Sequence, residues 1–370
     1  MRKLFIIKDT SGTSAQYGIG TFIEELSESL DGKDCFVQSV EVNADCKTIE
    51  VETAEYVHHL RFPRSRVTWD AENYHYYRNI AYYLASMINE EDEAAFHFNY
   101  LHHWIISSVL RELVPTAKQI LTIHYLDGNI IDKEKKFFNT ADHIVTLCED
   151  TFRMICETCG VTTSNVHRIV NGIKDRKPIP GNSQQESLRR KYGFTPADKL
   201  VLFAGRLCDT KGVGVLLEAV KPLIDRDKNI HLLLAGSGNL SSYYEKSVGY
   251  WKNIHFLGQV KRETVFELYQ IADVGAFPSY QEQFGYVAIE MMMFGLPVVA
   301  FTESGGLKDI FQWEGICQYA VSVNDAAELT QKLEWALTRG KKDSDMFREC
   351  FLRHYRNDKL KDYWKLYFNE

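Results

Sequence analysis

The chain has 370 residues, of which 45% are hydrophobic and 25% are charged. This length is too great for one ordinary core and predicts two domains of a globular protein. The formal net charge of -7 gives no electrostatic support for nucleic-acid binding.

Targeting and redox features of the sequence favour a cytoplasmic protein. No stretch approaches the roughly 20 apolar residues of a membrane span, and the apolar run near the N-terminus is too short for a signal segment. The eight cysteines are scattered, as expected of reduced thiols. Cys156 and Cys159 form one C-x-x-C pair without a second pair, so we expect a helix end and no zinc site.

The first part of the chain alternates apolar strands with helical segments, a pattern that predicts α/β architecture with parallel sheets. A helix is predicted at 21–30, where apolar residues recur at helical spacing. Strands are predicted at 4–7, 35–42, 94–98, 119–123 and 143–147. We therefore expect an N-terminal Rossmann-like domain at 1–172.

A polar segment rich in proline and glycine, 173–197, predicts a linker that leads into a short helix. A second alternating series then predicts another Rossmann-like domain at 198–345. Its strands are predicted at 199–204, 230–235, 254–257, 273–277 and 297–301, and its helices at 213–221, 262–271 and 286–294. The tail, 346–370, has helical spacing and is expected to cross back to the first domain.

Ligands of open α/β sheets bind beyond the carboxyl ends of the strands, so the loops at those ends are the candidate sites. In Gly205-Arg-Leu-Cys-Asp-Thr-Lys-Gly212, Arg206 follows a strand and Lys211 precedes a helix. Two cations beside the free amides of a helix N-terminus are suited to a diphosphate. The alternative is a solvated turn with ordinary surface charges.

A second loop places two acids around a Phe-Gly step, in Glu282-Gln-Phe-Gly-Tyr-Val-Ala-Ile-Glu290. Gly285 allows close approach of a ligand to the backbone, and the amides of Tyr286 and Val287 favour negative charge. Glu290 lies in an apolar helix, where a sugar or ribose diol would satisfy its carboxylate. The alternative is a single acid facing solvent, and metal ligation fits less well because no third ligand is nearby.

Other loops give weaker signals. Phe301-Thr-Glu-Ser-Gly-Gly306 either connects two elements or lines the same site, and the sequence leaves both open. Tyr17-Gly-Ile-Gly20 resembles a dinucleotide fingerprint, but Ile23 stands where the third glycine belongs, so NAD binding is not favoured. His124 follows a strand, although a lone histidine is more often structural, and His97 is a weaker candidate. Asp225-Arg-Asp227 is interpreted as a surface turn.

Taken together, these motifs resemble the retaining glycosyltransferases of family 4. The resemblance is carried by Gly205-Arg206 with Lys211-Gly212, by the E-x7-E pair Glu282 and Glu290, and by Gly295-Leu-Pro-Val-Val-Ala300. Supporting matches include Ala141-Asp-His-Ile-Val-Thr, Val170-Asn-Gly-Ile173 and Ala235-Gly-Ser-Gly238. The resemblance implies the GT-B fold, an α/β architecture in which two Rossmann-like domains face each other across a cleft.

The resemblance also implies roles for individual residues. Arg206 and Lys211 would grip the donor diphosphate, and Glu290 would bind the ribose hydroxyls. Glu282 would hold the transferred sugar together with backbone amides, and His124 would contact that sugar. The remaining donor-binding residues implied are Gly18, Gly205, Gly258, Val260, Phe284, Gly285, Tyr286 and Val287. Tyr17 stands where the family usually has the first glycine of its phosphate-facing loop.

The implied activity is transfer of a sugar from a nucleotide-diphosphate donor to an acceptor hydroxyl with retention of configuration, without a metal or another cofactor. The acceptor, whether a saccharide, a lipid-linked molecule or a peptide, is not indicated, and no association with a membrane is evident. Three alternatives remain open: a sugar-nucleotide epimerase of the same fold, a non-catalytic GT-B scaffold, and an NAD oxidoreductase.

Overall fold

The computed structural model describes residues 1–10, 18–30, 32–53, 57–65, 71–126, 132–176, 178, 181–280, 282–303 and 305–368. These residues form two compact units. The first unit comprises Met1–Lys174 with Asn357–Glu370, and the second comprises Asp175–Arg356. Of the predicted tail, 346–370, the part from Asn357 onward therefore groups with the first unit and the part before it with the second.

The first unit contains one eight-stranded sheet with the order β3-β4-β2-β1-β5-β6-β7-β8. All neighbours are parallel except β3 and β4, which are antiparallel. Its strands are β1 Arg2–Asp9, β2 Phe36–Ala44, β3 Glu50–Thr53, β4 His58–Pro63, β5 Glu93–Phe98, β6 Lys118–Ile123, β7 His143–Thr146 and β8 Val166–Arg168. Its helices are α1 Gly18–Ser29, α2 Ala71–Ser86, α3 Trp104–Leu113, α4 Asp132–Thr140 and α5 Glu149–Thr158.

The central strands of this sheet are near-continuous apolar runs, as expected of parallel strands that are covered on both faces. In β1 the residues from Lys3 to Ile7 are all buried. Of these, Phe5 and Ile7 pack into an aromatic-rich core with Phe96 and Phe98 of β5 and with Phe137 of α4. This core fixes the carboxyl ends of β1, β5 and β6, from which candidate residues extend.

The second unit contains a six-stranded, fully parallel sheet with the order β11-β10-β9-β12-β13-β14. Its strands are β9 Lys199–Ala204, β10 Ile230–Ala235, β11 Ile254–Gly258, β12 Val274–Phe277, β13 Val298–Phe301 and β14 Ala320–Val321. Its helices are α6 Asn182–Lys191, α7 Val213–Arg226, α8 Ser241–Lys246, α9 Arg262–Ile271, α10 Tyr286–Met293, α11 Gly305–Ile310, α12 Ala326–Arg339 and α13 Ser344–His354.

In both sheets the order of the strands changes direction once, near the middle of the sheet. In the second unit the chain runs outward from β9 to β11 on one side and from β12 to β14 on the other. In the first unit the reversal lies between β1 and β5. Parallel sheets bind ligands outside the carboxyl ends of the strands at such a reversal, so each unit has one preferred site.

The end of the chain is not the single helix that its spacing predicts. After α13 it continues as a 3-10 segment, Asn357–Tyr363, and a short helix, α14 Trp364–Tyr367. Helix α13 ends at His354, and the amide of Asn357 donates to the carbonyl of Ile173 at 3.0 Å. Tyr367 then hydrogen-bonds the buried ring of His97 at 2.6 Å, and Thr122 hydrogen-bonds its other nitrogen at 2.8 Å. His97 therefore has a structural role in the first unit.

Within the described residues, none of the helices is both long and apolar enough to traverse a bilayer.

Candidate functional site

The two loops that follow β9 and β12 pack closely against each other. Gly212 ends the first loop with a left-handed φ of 69°, and a Cβ atom there would lie 2.0 Å from the carbonyl oxygen of Pro278. The amide of Tyr280 donates to the carbonyl of Thr210 at 3.0 Å. Only glycine allows the two loops to approach this closely. The glycine of the Lys211-Gly212 motif is therefore required for steric reasons.

This packing brings Lys211 and Glu282 together. The Lys211 ammonium forms an ion pair with Glu282 Oε1, and both side chains are largely buried. Ser279 also donates to Glu282 Oε1 at 3.0 Å. Arg206 lies on the same loop as Lys211, is exposed, and makes no ion pair or hydrogen bond with any described residue. The predicted cations and the first predicted acid therefore share the reversal point of the second sheet.

The Phe-Gly step opens helix α10 as the sequence predicts. Gly285 is the N-cap of α10 and has a left-handed φ of 87°. The amides of a first helical turn have no acceptor within the helix, so those of Tyr286 and Val287 add positive potential here. Phe284 is buried.

The loop after β13 packs against the loop that carries Glu282. The amide of Gly306 donates to the carbonyl of Glu282 at 2.6 Å. A Cβ atom at Gly305 would lie 2.0 Å from the same carbonyl oxygen. The third loop, whose role the sequence leaves open, therefore fixes the backbone of Glu282.

Glu290 lies in α10 with its side chain 13% exposed. The sequence predicts that a bound diol would satisfy this carboxylate, and the protein itself already provides two hydrogen-bond donors to it. Arg262 donates to its Oε1 at 3.3 Å, and the hydroxyl of the buried Tyr269 donates to its Oε2 at 3.1 Å. Burial nevertheless raises the pKa of the Glu290 carboxyl, while Arg262 opposes that rise. Each carboxylate oxygen retains capacity to accept a further hydrogen bond.

The sequence reasoning overlooked Arg262 and Tyr269. They lie seven positions apart in α9, a spacing that places both on one helical face. The sequence feature that could have indicated these two residues is the occurrence of an arginine and a tyrosine on the same face of α9, among residues of mixed polarity.

Gly205, Gly258 and Val260 extend the same edge of the second sheet. The amide of Gly236, which follows β10, donates to the carbonyl of Gly258 at 2.8 Å. A Cβ atom at Gly236 would lie 1.8 Å from the carbonyl oxygen of Gly205. These contacts align the ends of β9, β10 and β11, and Val260 follows β11 as a partly buried residue.

The other two predicted residues, His124 and Gly18, belong to the first unit. Gly18 is the first residue of α1, and Tyr17 lies outside the described residues. His124 follows β6, packs on Phe22, and places its Nε2 2.9 Å from Asn99 Oδ1. Because Asn99 Nδ2 donates to the carbonyl of Ile7, its Oδ1 must be the acceptor, so His124 is protonated on Nε2.

This arrangement makes His124 a neutral hydrogen-bond acceptor through Nδ1. Burial lowers the pKa of His124 to about 3, so the ring is uncharged at neutral pH. Asn99, which orients the ring, was overlooked in the sequence although it also follows a predicted strand.

The remaining sequence features have structural explanations. All eight cysteines are free thiols, and Cys159 caps the C-terminal end of α5 as predicted. Asp227 pairs with Lys199, and the exposed Asp225 pairs with Lys228. The D-x-D sequence therefore lies at the surface, but its first two residues end helix α7, and only Asp227 lies beyond the helix, where a surface turn is predicted.

Comparisons with known families cover most of the chain. The family model described as Glycosyltransferase Family 4 matches residues 17–177, and the model described as Glycosyl transferases group 1 matches residues 184–349.

Individual proteins agree with these matches. An uncharacterized glycosyltransferase of Methanocaldococcus jannaschii is 32% identical over 227 residues, covering 60% of this chain and 56% of the relative. A D-inositol 3-phosphate glycosyltransferase of Corynebacterium jeikeium is 28% identical over 245 residues, covering 59% and 58% respectively. The chain thus spans a little more than half the length of these curated relatives in sequence.

A solved structure extends the likeness over nearly the whole chain. An Anabaena protein, crystallised in complex with UDP and glucose, superposes with a TM-score of 0.77 and 14% identity, covering 98% of this chain and 97% of the other. Such low identity supports the fold alone. Its two α/β units agree with the parallel sheets described above. The two family matches and this shared fold show that the chain belongs to the family 4 glycosyltransferases, which have the GT-B fold.

Proposed function

We propose that the protein transfers a sugar from a nucleotide-diphosphate sugar to an acceptor hydroxyl with retention of anomeric configuration. The observation that carries the proposal is the meeting of Lys211 and Glu282, beside Arg206, at the reversal point of the second sheet. Cations, helix amides and carboxylates at one strand edge suit the two halves of such a donor, a diphosphate and a set of hydroxyls.

Arg206 and Lys211 would stabilise the departing diphosphate. When the bond from the anomeric carbon to the diphosphate oxygen breaks, the electron pair stays on that oxygen and positive charge develops at the sugar. A positioned cation in a partly desolvated site lowers the energy of this charge separation. Lys211 is suited to that role because its ammonium is only 19% exposed and is held by Glu282. The acceptor oxygen then bonds the anomeric carbon and passes its proton to the departing diphosphate oxygen.

Glu290 would bind the ribose of the donor through two neighbouring hydroxyls. Its carboxylate is fixed by Arg262 and Tyr269, so a ligand meets acceptors whose direction is already set. Gly258 and Val260 would border the base, because they follow β11 on the same edge of the sheet. Glu282 would accept hydrogen bonds from hydroxyls of the sugar. The backbone amides of Phe284, Gly285 and Tyr286 would help to hold the same sugar.

The first unit would contribute His124 and Gly18. The neutral His124 ring can accept a hydrogen bond from a sugar hydroxyl through Nδ1, but it cannot act as a general acid at neutral pH because burial lowers its pKa to about 3. Gly18 would offer close backbone approach at the start of α1.

We propose that the donor site needs no metal ion. Its cations, Arg206 and Lys211, supply positive charge where a divalent ion would otherwise act, and the nearest carboxylate is already paired with Lys211. The free state of all eight cysteines supports the proposal that the enzyme works in the reducing cytoplasm.

A panel of nucleotide sugars tests this proposal. The matching donor should raise the melting temperature by several degrees at saturation, since binding to the native state alone stabilises it by about 2.7 kcal/mol at 100 Kd. Arg206→Ala should lose most of this shift with unchanged stability, because Arg206 bonds no described residue. Lys228→Ala, a matched surface change, should keep it.

Product analysis completes the test. A donor that shifts the melting temperature should yield a glycoside whose anomeric configuration, read by NMR, matches the donor. Absence of any shift across the panel contradicts donor binding, and an inverted product contradicts retention.

A further inference from the structure

Three metal-binding side chains converge at the reversal point of the first sheet. Asp9 is the last residue of β1, and His102 and His103 belong to the 3-10 turn Leu101–His103 that follows β5. Because β1 and β5 are parallel neighbours, their carboxyl ends lie side by side. His102 Nε2 lies 3.0 Å from Asp9 Oδ2, and His103 Nε2 lies 3.6 Å from the same oxygen.

His103 is a buried imidazole with poorly satisfied ring nitrogens. Its side chain is fully buried, its Nδ1 has no hydrogen-bond partner among the described residues, and its Nε2 makes a long contact of 3.6 Å with Asp9 Oδ2. The equally buried His97 in the same unit has partners on both nitrogens, Tyr367 and Thr122. A buried polar group that is left unsatisfied destabilises the folded state, so the environment of His103 is suited to a further ligand.

We propose that Asp9, His102 and His103 bind a divalent transition-metal ion, with Zn²⁺ as the best match. Two imidazoles and one carboxylate form a common zinc ligand set, and harder ions such as Mg²⁺ prefer oxygen. Tetrahedral coordination with bonds of about 2.0–2.1 Å separates ligand atoms by about 3.4 Å. The candidate ligand atoms of these residues all lie within 4.8 Å of one another, which small rotations of the rings can adjust.

One ligand of the cluster lies at the protein surface. His102 is 47% exposed and provides a route from solvent.

Asn43 also orients the carboxylate. It donates to Asp9 Oδ2 at 2.9 Å, while its own Oδ1 accepts from the amide of Ser65. Such outer contacts hold metal ligands in place. The ion would tie the end of β1 to the turn after β5, a role separate from the proposed donor site and a departure from the sequence expectation of no metal.

Zinc titration of the full chain after chelator treatment tests the site. We expect one tight equivalent of Zn²⁺ by calorimetry and metal analysis, and no binding of Mg²⁺. His102→Ala should weaken the tight binding by about 100-fold or more. His102 is exposed, so this variant should fold normally.

Two further measurements prevent misassignment. His143→Ala removes one member of another histidine pair, His143 and His167, and should leave the tight site intact. Co²⁺ should give the visible spectrum of a low-coordinate nitrogen and oxygen site in the native protein but not in His102→Ala. Equal zinc binding by the native protein and His102→Ala, or loss of the tight site in His143→Ala instead, overturns the proposal.

Discussion

The two sheets reverse their strand order in the same way but present different chemistry at the reversal. In the second unit the loops after β9 and β12 bring charged groups together, with Lys211 paired to Glu282 and Arg206 exposed beside them. In the first unit the corresponding ends carry Asp9 and histidines, and burial keeps His103 and His124 neutral.

This difference shows that topology fixes where a ligand binds and side chains fix which ligand. A site of cations and helix amides favours a multiply charged anion. Neutral imidazoles favour a metal ion or an uncharged hydroxyl, since they bring no net charge. The two reversal points therefore predict separable effects when their residues are changed.

The largest expected effect follows loss of the paired cation in the second unit. Lys211→Ala should lower kcat by about 100- to 1000-fold, because the departing diphosphate loses its partly buried positive partner. The measurement is steady-state transfer from the donor identified by thermal shift. Lys228→Ala should retain the native rate, and near-native turnover by Lys211→Ala would falsify the assignment.

The next largest effect is expected from a substitution that disrupts the packing between the loops after β9 and β12. Gly212→Ala combines a left-handed φ of 69° with a Cβ atom 2.0 Å from a backbone carbonyl, so the loops must separate. We expect a loss of about 3 kcal/mol or more in the free energy of unfolding, measured by urea denaturation of the variant.

Gly193→Ala provides the matched control. Gly193 has a similar φ of 82°, but nothing lies within 4 Å of the added Cβ atom. Its cost should therefore be limited to the left-handed backbone, about 1–2 kcal/mol. Equal losses in the two variants would show that contact with Pro278 is unimportant.

A third prediction concerns the donor-binding carboxylate. Glu290→Gln should raise the donor KM by tenfold or more with a smaller change in kcat, since a hydrogen bond to a charged group contributes about 1.5–3 kcal/mol. Tyr269→Phe removes one bond that orients this carboxylate and should raise KM less. A larger effect of Tyr269→Phe than of Glu290→Gln contradicts the ribose role.

Much of the second unit could be predicted because its signals are local. Strands β9 and β10 have the predicted bounds, and the whole span from Glu282 to Glu290 lies within one loop and one helix. Strand β3 was not predicted, although Val51 alternates with Glu50 and Glu52; the strand is short, and all four of its residues are exposed.

The metal-binding candidates of the first unit could not be found in the same way. Asp9 and His102 lie 93 positions apart and meet only because β1 pairs with β5. Neither residue belongs to a motif with fixed spacing. The pairing of β1 with β5 creates this site, and that pairing cannot be deduced from a single sequence.

The smallest predicted effect compares the two units under acid. His97 and His124 are buried, and burial lowers the pKa of each to about 3, whereas an unfolded histidine titrates near 6.5. Between these values the unfolded state binds more protons, so the first unit should lose stability as pH falls below about 6.5. The loss is at most about 1.4 kcal/mol per pH unit for each ring.

Glu290 in the second unit should act in the opposite direction. Burial raises the pKa of its carboxyl, so the folded state binds the proton more readily than the unfolded state. Its protonation therefore favours the folded second unit as pH falls toward the ordinary range of a carboxyl group.

Hydrogen exchange read by mass spectrometry at pH 7 and pH 5.5, corrected for intrinsic exchange rates, should show protection lost first in peptides of the first unit. His124→Gln, whose amide can still donate to Asn99 but does not titrate, should reduce that loss, and earlier loss of protection in the second unit would contradict the comparison.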